Sequence, residues 1–427
     1  MKRIVIFIMV LSIFLFTSCS KEMTANTDFS QSSGSQNEGT SSVKDAYDTS
    51  DELRGVWISY GEMGSAFKGD FYKNIDGMLD NIKNLGFNTA FVHMRAFCDS
   101  FYPSDIFPWS AYISGEQGVS PGFDPLEYIV KAAKKRDIEI HAWLNPYRVS
   151  YSTESPYSLS EKSPVRKYMT DNPYSTFAVG YDGGLYLNPA NDDANKLIVN
   201  GVKEIIENYD VDGIHFDDYF YPTMKESFDM SDYLNYTTNC EKPLSLADWR
   251  RENVNQMLKT VYDEIKKKDK SISFGISPAG NNQLNYNELY ADVGTWVKGG
   301  YVDYIIPQLY FGYDFSIERL QYDNLVYEWS KYKNDVTIYA GLGAYKIGNA
   351  TGSKKDEWSS GCIMEKMINY SRGYKYSGFV IFSYTSLFSD DELNTEERNR
   401  IFNLIGCRFL CSPPCPWSGR CCLKRRD

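Results

Sequence analysis

The chain has 427 residues, 42% of them hydrophobic and 24% charged, a balance that suits a water-facing globular protein with one large α/β domain or two smaller ones. Its formal net charge is -11 and no stretch concentrates Lys and Arg, which excludes a surface built to track a phosphate backbone. No nucleic-acid partner is therefore expected.

The chain begins MKRIVIFIMVLSIFLFTSCS, with a basic start and an apolar run from Ile4 to Phe16. That run is too short for a bilayer, which needs about twenty residues, so residues 1–19 read as a signal peptide. Its end, FTSC, resembles the lipobox of bacterial lipoproteins, with Phe16 where Leu is more usual. The resemblance implies that Cys19 is acylated and becomes the mature N-terminus. Two or more acyl chains hold a protein stably at a membrane, so the expectation is an extracytoplasmic protein lipid-anchored to the bacterial cell membrane. Simple secretion is the alternative. Residues 20–50 are rich in Ser, Thr, Gly, Asn and Gln, with apolar side chains only near Met23 and Phe29. Such a segment cannot bury enough surface to offset its ordering entropy and reads as a flexible tether.

From residue 51 to 406 one pattern repeats: a β-rich run, a polar or aromatic loop, then a helical stretch. The β-runs are RGVWISY (54–60), FNTAFVHMR (87–95), IEIHAWLNPY (138–147), VDGIHFDDYF (211–220), SISFGISPAG (271–280), YVDYIIPQLYF (301–311), VTIYAGLGAY (336–345) and SGFVIFSYTS (377–386). Between them NIDGMLDNIKNLG, PLEYIVKAAKKRD, ANKLIVNGVKEIIENY and WRRENVNQMLKTVYDEIKKKD carry apolar residues near a 3.6 period, and Gly86 sits where a helix C-cap glycine belongs. A βα alternation predicts a parallel sheet, and eight units close a (β/α)8 TIM barrel. An open doubly wound sheet is disfavoured, because ISYGEMGSAF is a poor match to its Gly-rich first turn. In such barrels the active site lies at the C-terminal strand ends. The connections after the second, third and fourth strands are long and crowded with Tyr, Phe, Trp and Pro, and they read as walls of a cleft.

Alternation along each strand then selects inward residues. If Asp217 faces the lumen, so do His215 and Gly213; the same rule places His141, Trp143 and Asn145 inside on the third strand, and His93 and Arg95 inside on the second. The three histidines are the only ones in the chain. They can be hydrogen-bonded support, substrate contacts or a three-histidine zinc site, the last being poorly placed because His141 and His215 lie below the strand tops. Asp217 and Asp218 are neighbours whose carboxylates should diverge, so they cannot both flank a scissile bond at about 5 to 10 Å. The other strand tops carry Ser59, Asn145, Ser277, Gln308, Tyr310, Tyr345 and Ser383 but no acid. The remaining acids, Glu62, Asp99 and Asp314, are in loops.

RGVWISY, HAWLNPYR, YDVDGIHFDDYFYP, DWRRENV, FGISPAG and DYIIPQLYF resemble, in order and spacing, the glycosyl-hydrolase-like family 10 domain, over roughly residues 51–390. The resemblance implies a TIM barrel acting on polysaccharide, notably cell-wall glycan strands stripped of their peptides. It carries Arg95, Asp99 and Tyr102 from MRAFCDSFYPS, Asn145 and Arg148 from HAWLNPYR, His215, Asp217 and Asp218 from the fourth strand, and Gln308 and Tyr310 from PQLYF. A looser likeness to chitinase-type barrels fits Asp212, Gly213 and Asp217. Tyr219, however, stands where those proteins keep a Glu, so their substrate-assisted mechanism is not carried over.

The expected activity is hydrolysis of glycosidic bonds in a cell-envelope polysaccharide, with Asp217 as nucleophile or base and Asp99, Asp314 or Glu62 as proton donor. Asp218, also among the candidate catalytic residues, is expected to brace the site or to cap the following turn. Arg95, Asn145, Gln308 and Tyr310 would hold sugar hydroxyls, while Trp109, Trp143 and loop tyrosines such as Tyr219 would stack on sugar faces. No cofactor is called for. The alternatives are a non-catalytic glycan-binding lipoprotein and a metal-dependent hydrolase using His93, His141 and His215. The tail, CRFLCSPPCPWSGRCCLKRRD at 407–427, continues no earlier pattern and reads as an atypical terminus, with disulfides or a metal knuckle as the alternative. Cys98, Cys240 and Cys362 are scattered and read as buried or free.

Overall fold

The computed structural model describes residues 49–349 and 352–406. The signal segment with Cys19, nearly all of the tether and the Cys-rich tail lie outside the described residues.

Each of the eight β-runs contains a barrel strand. These are β1 (Leu53–Ile58), β2 (Thr89–Arg95), β3 (Glu139–Leu144), β7 (Gly213–Phe216), β8 (Ser273–Ile276), β9 (Tyr304–Ile305), the pair β10 (Thr337–Ile338) and β11 (Ala340–Gly343), and β12 (Gly378–Phe382). All their pairings are parallel, in the order β10-β9-β8-β7-β3-β2-β1-β12-β11. The two ends of that order are halves of one stretch broken at Tyr339, so the sheet closes on itself; bridges from Gln308 to Ala279 and Gly341 complete the seam. The fold is the expected (β/α)8 TIM barrel.

The strands are buried on both faces, as parallel strands under a helical layer must be. Val56, Ile58, Val92, Ile140, Ala142, Ile214 and Phe216 belong to the large outer core, while Leu53, Trp57, Phe91, Trp143, Tyr304, Ile306 and Val380 form a separate cluster in the lumen. Outer helices such as Phe71–Asn84, Pro125–Lys134 and Asp192–Asn208 start on side-chain caps, Asp70, Asp124 and Asn191 respectively, which satisfy otherwise orphaned N–H groups. Gly86 follows the first of these at φ 84, the left-handed conformation that suits glycine.

The lumen is filled by rings, and two strand glycines make room for them. A Cβ on Gly213 would lie 2.3 Å from His141 Nδ1, and one on Gly275 2.1 Å from the Tyr304 ring. Tyr304 Oη in turn lies 2.8 Å from His141 Nδ1 and 3.2 Å from His215 Nδ1, and Trp57 donates its indole N–H to His215 Nε2 at 3.2 Å. Burial pushes His141 down to about 3 and His215 well below the usual imidazole range, so both rings are neutral.

The strands are shorter than the sequence runs because side chains capture the backbone at their ends. After β3, Asn145 Oδ1 accepts from Arg148 N at 2.9 Å; after β7, Asp217 Oδ1 accepts from Tyr219 N at 3.4 Å. Between β3 and β7 a small antiparallel sheet rises at the rim, from β4 (Arg148–Ser150), β5 (Ala178–Tyr181) and β6 (Gly184–Leu187). The loop after β7 is tied down by Arg250 of helix Leu246–Lys268. That guanidinium pairs with Asp229 at 2.5 Å, donates to the carbonyls of Met224 and Lys225, and lies over the Tyr221 ring. The DWRR motif thus holds the loop that follows the tandem acids.

Candidate active site

The C-terminal mouth of the barrel gathers residues from β3, β7 and β9. Asp217 follows the last residue of β7 and is 2% exposed. Its carboxylate accepts from Trp143 Nε1 at 3.1 Å and from Asn145 Nδ2 at 3.1 and 3.2 Å, in addition to the Tyr219 N–H. All these partners are donors, which is what an ionised carboxylate requires. Burial nonetheless pushes its pKa up to about 6, against the opposing charge of Arg148 and these hydrogen bonds.

Asp218 is partly exposed beside it and hydrogen-bonds the Gln308 side chain. Burial first, and then the neighbouring Asp217 charge, push it up to about 7. Gln308 is itself oriented by donating Nε2 to Ser277 O at 3.0 Å. Asp218 is thus the weaker acid of the two and carries a proton over part of the range near neutrality.

Arg148 spans the rim. Its Nε donates to Ala96 O at 3.2 Å, and its guanidinium lies 4.8 Å from both the Phe97 and Tyr219 ring centroids and 5.9 Å from that of Tyr60. Tyr219 is 46% exposed, as a ring available to a saccharide would be. Trp143 presents one side only, because His93 stacks flat on it at 3.8 Å. Beyond it, Tyr310, Tyr345 and Phe382 form a second aromatic wall, with Phe382 6.0 Å from both tyrosines and 6.5 Å from Trp143.

Several expected site residues lie elsewhere. The β2–β3 register shifts between His93 and Arg95, so Arg95 pairs with Leu144, whose side chain belongs to the outer core. This β-bulge turns Arg95 away from the lumen and over the Phe107 ring at 4.9 Å, fully buried, where it does not hold sugar hydroxyls. Glu62 is not a free acid either. One carboxylate oxygen accepts from Ser59 N at 2.6 Å, closing a capping box on helix Tyr60–Ala66, and the other accepts from Ser383 Oγ at 2.7 Å and Thr385 N at 2.5 Å. The signature S-x-x-E at Ser59–Glu62 was present in the sequence for this role. Replacing Glu62 by Gln is expected to leave glycan cleavage within about threefold and to lower stability by about 1 kcal/mol, the usual scale of a lost cap. A loss of about 100-fold in kcat at unchanged Tm would restore Glu62 as proton donor.

Asp314, in the loop after β9, accepts from Lys354 N at 3.1 Å and pairs with Glu357, whose pKa is pushed up to about 7 by burial and by Asp314. Its carboxylate is engaged at that loop junction. Asp99 faces a cavity of about 390 Å³ whose walls include Phe97, Tyr112, Gln117, Tyr151 and Leu159 but neither Asp217 nor Asp218. Its carboxyl is held by Ser110 and Gln117 and is pushed up to about 6 by burial. Trp109 is half-buried in the same loop, its backbone bridged to Ser100. His141 and His215 form the lumen floor described above, so neither serves as a substrate contact. Among the described residues no three His, Cys, Asp or Glu side chains converge in a metal-ligating group.

The family model described as glycosyl hydrolase-like 10 matches residues 52–360. The chain is 33% identical over 373 residues to glycosyl hydrolase YngK of Bacillus subtilis (strain 168), spanning 81% of this chain and 71% of that protein. It is 31% identical over 355 residues to glycosyl hydrolase DigH of Escherichia coli (strain K12), 78% of each chain being covered. Among solved structures, the catalytic domain of β-amylase from Paenibacillus polymyxa matches 84% of this chain and 100% of that one, with a TM-score of 0.52 and 12% identity, a likeness of fold alone.

Proposed function

The chain belongs to the glycosyl hydrolase-like 10 family, and from that premise we propose that it hydrolyses glycosidic bonds in a cell-envelope polysaccharide, foremost the glycan strands of peptidoglycan. The observation that carries this reading is the pair Asp217 and Asp218, two carboxyls with pKa values raised to about 6 and about 7, set beside aromatic walls at the barrel mouth. Groups whose protonation states are separated by their surroundings are the usual equipment of acid–base catalysis. Asp217, cradled by donors, is the anionic member beside the anomeric carbon. Asp218 is the proton donor to the leaving oxygen. Arg148, Asn145 and Gln308 hold these two in place and face the polar edges of the sugar, and Trp143, Tyr219 and Tyr310 offer it their rings.

Digestion of purified, peptide-free cell-wall glycan followed by mass analysis of the products tests the reading. Absence of new reducing ends from that glycan and from a panel of envelope polysaccharides would leave a saccharide receptor instead.

The pH dependence follows from the same pair. Asp217 must be ionised, so kcat/KM should fall as pH drops below about 6; Asp218 must be protonated, so it should fall again as pH rises above about 7. The two limbs belong to the coupled pair, and the optimum between them is narrow. A profile flat from about pH 5 to 9 would contradict the assignment.

The N-terminal FTSC motif supports a further part of the proposal, anchoring of the protein at the outer side of the cell membrane through acylated Cys19. Cys19→Ala should move the protein from the membrane to the soluble fraction, and retention of that variant in the membrane fraction would refute the anchor.

A further inference from the structure

The cavity of about 390 Å³ at the rim stands apart from the acid pair, yet it is lined by both polar and aromatic side chains. That volume falls in the range of ligand pockets, about 300 to 1,000 Å³. One wall comes from the loop after β2 and the other from β4 and the segment behind it, and side chains hold the two together. Gln117 accepts at Oε1 from Ser160 N at 2.9 Å, which turns its Nε2 toward Asp99 Oδ2 at 3.4 Å. The hydroxyls of Tyr112 and Tyr151 meet at 2.6 Å. The cavity is therefore preformed.

Its chemistry narrows the occupant. Gln117 Nε2 has a second N–H, and Asp99, 3% exposed, keeps Oδ1 without a full hydrogen bond, with Ser110 as the carboxyl's other neighbour. A donor and a carboxyl acceptor side by side match adjacent hydroxyls of a sugar, each of which both gives and accepts. Phe97 and Tyr151, with ring centroids 5.2 Å apart and Tyr151 44% exposed, supply the apolar surface on which a pyranose face rests. Ser150, Ser152 and Thr153 add hydroxyls to the lining. A cationic ligand fits poorly, because the Arg148 charge already bears on Asp99. An apolar one would leave Asp99 and Gln117 unpaired.

The cavity also continues the active site. Arg148 opens β4, whose next residues, Val149 and Ser150, line the cavity. Its guanidinium lies 4.8 Å from the ring centroids of both Tyr219, beside the acid pair, and Phe97, in the cavity wall. The same charge bears on Asp217 and Asp218. Tyr219, Arg148, Phe97 and Tyr151 thus form an unbroken series of contacts from the acid pair to the cavity.

We propose that this cavity is a second saccharide subsite, in which Asp99, Gln117 and Tyr151 hold a sugar of the same polysaccharide chain at a distance from the bond being cut; this rests on the glycosidase reading above. Binding energy gathered there holds the chain in register at the acid pair, and only substrates long enough to span both places can use it. The enzyme accordingly favours long strands over short fragments. Asp99, a candidate proton donor in the sequence, acts here as a binding residue.

The test compares the full chain with its Tyr151→Ala and Asp99→Asn variants on size-sorted fragments of peptide-free cell-wall glycan and on a short aryl glycoside confined to the mouth. For the parent, kcat/KM should rise at least about tenfold from the shortest fragments to those that reach the cavity, the worth of one hydrogen bond to a charged group. In each variant the rise should shrink below about threefold, while turnover of the aryl glycoside stays within about twofold of the parent. Tyr151 is exposed, so its variant folds whatever becomes of the buried Asp99. A parental kcat/KM independent of length, a rise that survives both substitutions, or losses as large on the aryl glycoside as on long fragments would overturn the proposal while sparing the glycosidase reading. If no fragment is cut, calorimetry with the long fragments decides: binding about tenfold weaker in Tyr151→Ala than in the parent keeps the subsite and removes the glycosidase, and equal binding removes both.

Discussion

Asp217→Asn is expected to lower kcat on cell-wall glycan by about 1,000-fold, the scale on which loss of a positioned charged group in acid–base or charge-stabilising catalysis is felt. Asparagine fills the same space but carries no charge and turns an N–H₂ toward Asn145 Nδ2 or Trp143 Nε1, where only acceptors fit. The variant should nevertheless be folded, and a pH comparison separates chemistry from stability. Because the folded-state acidity of Asp217 is weakened to about 6 from an ordinary 3.8, the folded parent binds protons that the unfolded chain has already released. Its stability from this group is therefore full below about pH 4 and declines as pH rises toward about 6. A neutral asparagine escapes that decline. The Tm of the variant at pH 8 should equal or exceed the parent's, while at pH 4 it should not. Turnover within about tenfold of the parent would remove Asp217 from the reaction.

Asp218→Asn should be nearly as severe on natural glycan, again about 1,000-fold, because the departing sugar alkoxide is a poor leaving group without a proton. The signature lies in the leaving group. An aryl glycoside that departs as a stabilised phenolate needs no proton, so with a dinitrophenyl leaving group the variant should keep activity within about tenfold of the parent. The alkaline limb of the pH profile, attached to the group near 7, should also disappear. Equal losses on both substrates would show that Asp218 acts as a brace after all and that the proton comes from another side chain.

Much of the barrel was legible because its signals are periodic. Short β-branched and aromatic runs alternate with 3.6-period helices, and eight such units leave little choice of topology. What escaped was set by single residues acting across the fold. The extra residue in β2 around Met94 breaks the alternation that had placed Arg95 inside, and a bulge has no signature in a run of seven buried residues. Asp314 reads as a free loop acid until Glu357, 43 residues later, is seen to bind its backbone N–H. The direction of Asp217 was correctly expected from alternation, since its partners Trp143 and Asn145 share the facing. The raised pKa of Asp218 was not, because it comes from burial and from the charge beside it, neither of which a dipeptide displays. The antiparallel rim sheet of β4, β5 and β6 was read only as a long loop, its strands being three or four residues each in a largely polar segment.

The ring-filled lumen has a consequence for the order of events. Directly under Asp217 the barrel is stoppered by His215, Phe91, Trp57 and Tyr304, none more than 3% exposed, and the glycines at 213 and 275 let those rings seat without gaps. Among the described residues this layer of rings closes the lumen beneath Asp217. In the proposed hydrolysis, the water that completes the reaction would therefore have to share the barrel mouth with the departing sugar.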